Sequence, residues 1–189
     1  MPVLLDSILG FMPVAILAQL TGLVMVILMS IWTAHHLGGF AWQSNPELEF
    51  NWHPLLMTIG MIYLYGNAIL IYRLFQNQDK KILKLVHAFL MICIFVLAVI
   101  GLKAVFDSHI LAKPDPIPDL FSLHSWMGLV TVILFLAQWI IGLMTFLFPG
   151  LSLNIRSSYL PLHVFFGLAI FVSCCATALL GITEHAIFG

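Results

Sequence analysis

The stretch Phe50-Asn51-Trp52-His53-Pro54 stands where a polar connection meets a long apolar run. It places a histidine about one turn into a predicted membrane-spanning helix. Three more histidines stand near the starts of later apolar runs, at His87, His124 and His163. The four are separated by nearly equal lengths of chain. One histidine therefore recurs near the start of each of four successive predicted helices.

The composition indicates a membrane protein. The 189 residues are 62% hydrophobic and only 8% charged, whereas ordinary soluble domains carry about 25% charged residues. Because so few charges cannot cover a water-exposed surface, most of the chain must lie in lipid. The formal net charge of −1 excludes the basic surface of a nucleic-acid-binding protein.

Five apolar runs are long enough to cross a membrane, since a helical span needs roughly 20 apolar residues. They cover about residues 8–33, 54–73, 82–106, 121–148 and 158–183. The connections between them are short and contain no second domain. We therefore predict an all-α membrane protein, in which residues 1–189 form a single transmembrane helix bundle.

Basic residues indicate the orientation, because cytosolic connections carry an excess of lysine and arginine. Five of the seven basic residues lie in or beside the second and fourth connections: Arg73, Lys80, Lys81, Lys84 and Arg156. These connections and the N-terminus are therefore predicted to be cytosolic. His53 and His124 then open helices from the non-cytosolic side. His87 and His163 open helices from the cytosolic side.

The four histidines are predicted to form two pairs. An ionisable group within a span is costly, so it should face the interior and have a partner. A hydrogen bond to a backbone carbonyl explains any single histidine equally well, but four at matched depths favour pairing of His53 with His124 and of His87 with His163.

Haem suits such pairs better than a bare metal ion does. A zinc site usually needs three or four protein ligands, whereas haem supplies four nitrogens itself and needs only two axial ligands. We therefore predict two bis-histidine haems, one in each leaflet, in a four-helix core over about residues 53–184. Gly128 and Gly167 each lie four residues after a histidine and share its helix face, which favours a slot for a flat macrocycle. Close helix packing is the alternative explanation for these glycines.

These residues closely resemble the cytochrome b561 family of ascorbate-dependent, transmembrane di-haem electron carriers, and in particular its animal branch with the duodenal and lysosomal ferric reductases. The resemblance runs from about residue 39 to residue 188. It rests on residues 50–54 together with Ile71-Tyr72-Arg73-Leu74, Ser122-Leu123-His124-Ser125-Trp126, Pro161-Leu162-His163 and Gly181-Ile182-Thr183-Glu184. It implies electron transfer from cytosolic ascorbate, through two haem b groups, to monodehydroascorbate or ferric iron on the other side.

The resemblance also assigns residues around the haems. Arg73 and Lys80 match residues near the cytosolic haem, and the ascorbate-binding set is Lys80, Lys84 and Arg156. The segment near the outer haem is matched by Asp119, Leu120, Phe121, Ser122 and Glu184. His109 matches a ferric-ion contact. Cytosolic flanking charge is the alternative explanation for the lysines, among which Lys81 is the ambiguous one.

The family normally has six spans, whereas this chain stops at Gly189 after five predicted ones. The sixth carries no haem ligand, so the relay is expected to survive. We expect either a truncated form or a partner that completes the outer wall. The resemblance further implies a homodimer in the plasma membrane or in an endosomal, lysosomal or secretory-vesicle membrane.

Two other classes of function remain open. A histidine-lined proton or ion pathway would need a continuous polar lane across the membrane, but the mid-helix polar residues are few, mainly Gln19, Asn67 and Gln138. A non-catalytic haem-binding subunit would be red but would accept electrons from ascorbate only slowly. Outside the haem region, Lys103 and Asp107 are four residues apart and are predicted to pair.

Overall fold

The computed structural model describes the backbone of residues 2–188 and the side chains of residues 10–187, and its regular elements are helices. The α-helices are α1 (Pro2–Ile31), α2 (Pro46–Phe50), α3 (Trp52–Met57), α4 (Tyr65–Leu74), α5 (Lys80–Ile110), α6 (Leu123–Phe146) and α7 (Leu153–Phe188). Two π-helical segments, Trp32–His36 and Thr58–Leu64, follow α1 and α3.

Five helical stretches within the described residues are long and apolar enough to cross a membrane. They are Gly10–His36, Pro46–Leu74, Lys80–Ile110, Leu123–Phe146 and Leu153–Ile187. The predicted all-α membrane fold with five spans is therefore confirmed. The last stretch extends several residues beyond the predicted 158–183, because the polar turns at its ends remain helical although an apolar run does not include them.

The core consists of two antiparallel helical hairpins. The first hairpin, residues 52–110, packs α5 against α3, the π-helical segment Thr58–Leu64 and α4, and the second hairpin packs α6 against α7. Between them lies a buried cluster that includes Phe135, Tyr65 and Ile94. The Tyr65 hydroxyl donates to the carbonyl of Gly167 at 3.0 Å, which joins the two hairpins near their middle. Helix α1 packs against the outside of the first hairpin, on the span that runs from α3 to α4.

The entry to the first hairpin is fixed by Asn51. This residue is only 2% exposed, and its Nδ2 donates to the carbonyls of Leu37 at 3.0 Å and Gly39 at 2.6 Å. Gly38 and Gly39 have φ values of +83° and +95°, which glycine adopts readily and other residues do not. The connection after α1 is thereby bonded to the helix start two residues before His53.

The predicted pair between Lys103 and Asp107 is confirmed. The Lys103 ammonium contacts the Asp107 carboxylate one turn later on α5. Gln43 Nε2 donates to the same carboxylate at 2.9 Å, so the connection after α1 is also joined to the end of α5.

Candidate functional site

The structure brings together the two predicted pairs of histidines. The ring centroids of His53 and His124 are 6.0 Å apart, and those of His87 and His163 are 6.4 Å apart. Each pair joins one histidine of the first hairpin to one of the second. We refer to the two ends of the bundle as the His53 end and the His87 end.

Three of the four histidines share one arrangement, in which Nδ1 donates to a backbone carbonyl of the neighbouring antiparallel helix. The three bonds join His53 to Gly101 (3.1 Å), His87 to Ala68 (2.9 Å) and His124 to Thr177 (2.8 Å). Because a carbonyl can only accept, Nδ1 must carry the ring proton in each neutral imidazole. The lone pair of Nε2 is then free to bind a metal.

The positions of these carbonyls follow a regular spacing. Gly101 follows His87, and Thr177 follows His163, by about four turns of the same helix. Ala68 follows His53 by one residue more, and the intervening segment contains the π-helical turns, which take up extra residues per turn. Four turns of α-helix rise about 20 Å, so the two histidine levels are separated by most of the membrane's hydrocarbon core.

His163 is the exception. The residue at the same offset from His124 is Gln138, and here the side chain replaces the carbonyl. Gln138 Nε2 lies 3.1 Å from Nδ1 of His163 and 2.6 Å from the His163 carbonyl oxygen. The Tyr159 hydroxyl donates to Gln138 Oε1 at 3.3 Å. Gln138 is buried, so an internal side-chain amide contacts this imidazole.

Two glycines lie against histidine rings. A Cβ atom at Gly181 would lie 2.7 Å from Cε1 of His124, and one at Gly142 would lie 2.8 Å from Cε1 of His163. Each glycine follows the histidine of its own helix by about five full turns, and therefore shares its face. The glycines predicted to form a slot, Gly128 and Gly167, have other nearest neighbours, the Thr177 methyl and Gln138 Nε2.

A cationic cavity of about 400 Å³ opens at the His87 end. Its lining includes Lys81, Lys84 and Arg156 together with Phe146. Lys84 Nζ donates to the Phe146 carbonyl at 3.4 Å, and the Phe146 ring lies 5.2 Å from that of His163. The cavity is thus separated from a histidine by one aromatic ring. Lys80, a member of the predicted set, is outside the lining, and Lys81 is in it.

At the His53 end, His109 and Asp119 form a contact. His109 Nδ1 lies 3.1 Å from Asp119 Oδ1, and the Phe121 ring lies 6.4 Å from that of His109. Ser122 caps α6, since its side chain accepts from the backbone N–H of Ser125 at 3.2 Å. This part of the predicted outer segment is therefore brought together beside the start of the helix that carries His124.

The remaining predicted residues lie at the expected ends of the bundle. The Arg73 guanidinium, in the last turn of α4, lies over the Phe11 ring at 5.4 Å. Leu120 has a φ of +53° in the connection before α6. Glu184 is half-buried near the end of α7.

Sequence reasoning missed Gln138 as a histidine partner and Gly142 and Gly181 as ring contacts. A signal for them was present in the spacing. Residues about four and about five turns after a histidine return to nearly the same helix face. In an antiparallel pair of helices, these residues lie beside the histidine of the neighbouring helix. Reading these offsets along α6 and α7 would have found all three residues.

The chain is similar to known proteins over most of its length. The sequence model of the family described as eukaryotic cytochrome b561 matches residues 52–189. A pig protein named transmembrane ascorbate-dependent reductase CYB561 is 49% identical over 171 residues, which cover 90% of this chain and 66% of the relative. A putative homologue of that reductase in Caenorhabditis elegans is 43% identical over 186 residues, covering 96% of this chain and 70% of the relative.

A third relative has a different name. The plasma membrane ascorbate-dependent reductase CYBRD1 of Xenopus tropicalis is 40% identical over 181 residues, covering 95% of this chain and 62% of the relative. The chain thus spans about two thirds of the length of these relatives. The resemblance predicted from the histidine motifs is confirmed: this multi-pass membrane chain belongs to the eukaryotic cytochrome b561 family.

Proposed function

We propose that this chain carries single electrons across a membrane, from ascorbate at the His87 end to an acceptor at the His53 end, through two b-type haems. The observation that carries the proposal is the presence of two facing histidine pairs at two levels of the bundle. The names of the relatives, which describe ascorbate-dependent reductases, support ascorbate as the electron donor.

Each histidine pair would supply the two protein nitrogens that a haem iron needs. An imidazole nitrogen binds a metal at about 2 Å, and the ring centre lies about 1 Å farther away, so two rings on opposite sides of one metal have centres about 6 Å apart. The observed separations are 6.0 and 6.4 Å. Within the described part of the chain, no group of three or more His, Cys, Asp or Glu side chains is placed to hold a metal. Pairs suit a group that brings its own equatorial nitrogens.

The chain's own residues would hold each haem and keep the pathway dry. Each would be held by one histidine from each hairpin, His53 with His124 or His87 with His163. When bound, a haem with two histidine ligands supplies one-electron chemistry without an open coordination position. The buried cluster around Phe135 and Tyr65 lies between the two hairpins and would limit the entry of water between the two haems.

The cationic cavity is the proposed ascorbate site. Ascorbate is a monoanion at neutral pH, and Lys81, Lys84 and Arg156 bring three positive charges to the cavity wall. Arg156 Nε is buried and has no hydrogen-bond partner among the described residues, so it is available to donate to an anion. Bound ascorbate would lose one electron towards the His87 end and release one proton, and would leave as monodehydroascorbate.

The proposal includes an orientation and an acceptor. The basic residues around the cavity favour a cytosolic position for the His87 end. On the opposite side, His109 and Asp119 provide a nitrogen and a carboxylate oxygen within 3.1 Å of each other, which suits a ferric chelate. Monodehydroascorbate is the other acceptor that we consider. We also propose that the chain forms a homodimer and that it lies in the plasma membrane or in a vesicle membrane.

The optical spectrum of the purified protein tests the proposal. We expect about two haems per chain, with b-type bands that appear when ascorbate is added. A colourless protein would overturn the proposal in favour of a histidine-lined proton or ion pathway. A red protein that dithionite reduces but ascorbate does not would indicate a non-catalytic haem-binding subunit.

Substitution of Lys84 tests the ascorbate site. Lys84→Gln removes one cation from the cavity, and we expect kcat/KM for ascorbate to fall about tenfold, since a hydrogen-bonded ion pair contributes about 1.5 kcal/mol. Initial rates of haem reduction in stopped flow measure this effect. Lys113→Gln is the matched control, because it removes the same charge from the connection before α6 at the other end of the bundle. Equal rates in both variants would contradict the assignment of the cavity.

A further inference from the structure

Gln138 distinguishes His163 from the other three histidines. We propose that Gln138 is a positioning residue for His163, and that its amide raises the reduction potential of the haem which this histidine holds. The inference rests on the proposed function, because it takes His163 as an axial ligand. It assigns to Gln138 a role that is exerted through this ligand. At His53, His87 and His124 the Nδ1 partner among the described residues is a backbone carbonyl instead of a side chain.

The orientation of the amide is fixed by its other two contacts. Gln138 Nε2 lies 2.6 Å from the carbonyl oxygen of His163, and only an N–H group can make that contact favourable. Gln138 Oε1 accepts from the Tyr159 hydroxyl. A half-turn of the amide would place two oxygens against each other at the His163 carbonyl. The N–H end of the amide therefore faces Nδ1 of His163, at 3.1 Å.

This orientation has a consequence when Nε2 of His163 binds iron. Nδ1 then carries the ring proton and lies beside the positive end of the amide dipole. The other three histidines instead donate Nδ1–H to a carbonyl, which makes an imidazole more electron-rich and a better ligand for oxidised iron. His163 has no such carbonyl acceptor at Nδ1, so its imidazole does not become more electron-rich in this way. Ferric iron is therefore less favoured beside His163, and the haem there is easier to reduce.

Burial makes the amide effective. Gln138 lies in the middle of α6 and is only 9% exposed, and a dipole in so apolar an environment is screened much less than one in water. The haem affected is the one nearest the cationic cavity, because Phe146 lines the cavity and its ring centroid lies 5.2 Å from that of His163. A higher potential at this position favours transfer of the first electron from ascorbate.

Gln138→Met tests the inference, since methionine has a similar length and no amide dipole. Spectroelectrochemical titration of the purified protein measures both haem potentials, and a His163→Ala variant identifies which potential belongs to that histidine. We expect the His163 haem to become about tenfold harder to reduce, because a buried N–H donor that faces another donor instead of an acceptor changes an equilibrium by about that factor. Tenfold corresponds to a downward shift of about 59 mV for one electron. The other haem should keep its potential.

Gln19→Met is the matched control. Gln19 is another glutamine in a membrane helix, and its side chain bonds to Asn67, at 2.7 Å, and to Tyr63 rather than to any of the four paired histidines. Both potentials should remain unchanged in this variant. A His163 haem potential that stays constant or rises in Gln138→Met would overturn the inference while leaving the proposed function intact. Retention of both haems in His163→Ala would instead overturn the ligand assignment of the proposed function.

A second substitution tests the inference in case the Gln138→Met protein loses a haem. Gln138→Glu keeps the length of the side chain and offers Nδ1–H a carboxyl oxygen as acceptor, so the potential should again fall and the haem should be retained. If the glutamate variant also contains only one haem, the role of Gln138 is retention of the haem rather than control of its potential, and the inference is wrong.

Discussion

His87→Ala is expected to remove one of the two proposed haems and to reduce the proposed transmembrane electron transfer to the background rate. His87 faces His163 at 6.4 Å between ring centroids, and its Nδ1 is held by the Ala68 carbonyl. Alanine cannot replace an axial nitrogen, and a single remaining histidine makes a weaker haem site. Without the haem at this level, an electron from the cavity would have to cross about 20 Å more to reach the His53 level.

Two measurements check this prediction. The haem-to-protein ratio should fall from about two to about one, and vesicles loaded with ascorbate should no longer reduce an external ferric chelate. His36→Ala is the control, because His36 lies beside His35 at the end of the first membrane helix and belongs to neither pair. Two haems in the His87→Ala protein would show that the proposed ligand is wrong, even if the rate were reduced.

The arrangement of the hairpins explains why two haems would stabilise the bundle. Each histidine is oriented by the helix next to it in the same hairpin, but each pair joins the two hairpins. Loss of one histidine therefore leaves its partner still oriented by its own hairpin, while the connection between hairpins is lost at that end. Each histidine therefore has two roles. Its Nδ1 contact orients the ring within one hairpin, and its pairing would join the hairpin of α3–α5 to the hairpin of α6 and α7.

Much of this architecture could be predicted from the sequence. The lengths of the apolar runs predicted five spans, and the alternation of direction from one span to the next placed His53 with His124 and His87 with His163 at opposite ends. These inferences succeed because a membrane permits few alternatives for a chain of apolar helices. The pairing required only counting, since successive membrane-spanning helices run in opposite directions.

Other features could not be predicted because they depend on how the helices meet. The π-helical segment Thr58–Leu64 has no marker in its composition, yet it keeps Ala68 level with His87. Whether Lys80 or Lys81 lines the cavity depends on a rotation of about 100° about the α5 axis, which an apolar pattern does not fix at a helix start. Gln138 was only one isolated polar residue in an apolar helix until the structure placed it against His163.

Gly181→Ala is expected to lose the haem that we propose at the His53 end. The new Cβ would lie 2.7 Å from Cε1 and 2.9 Å from Nδ1 of His124, which is closer than non-bonded carbon and nitrogen atoms approach. The ring cannot simply move aside, because Nδ1 is bonded to the carbonyl of Thr177, one turn before Gly181 on α7. The methyl group must therefore either break that bond or turn the imidazole away from His53.

A general weakening of α7 would not explain such a loss. Alanine is favoured over glycine in a helix interior by about 1 kcal/mol, so the substitution should strengthen the helix while displacing the ligand. The measurements are the haem-to-protein ratio of Gly181→Ala and the redox titration of its remaining haem. Comparison with His53→Ala identifies which haem has been lost. Gly66→Ala is the matched control, since its Cβ would meet the Phe171 ring at an ordinary 3.5 Å. Full haem content in both variants would mean that the His124 ring can move without losing its ligand role, and would contradict the close contact with Gly181 as a requirement of the site.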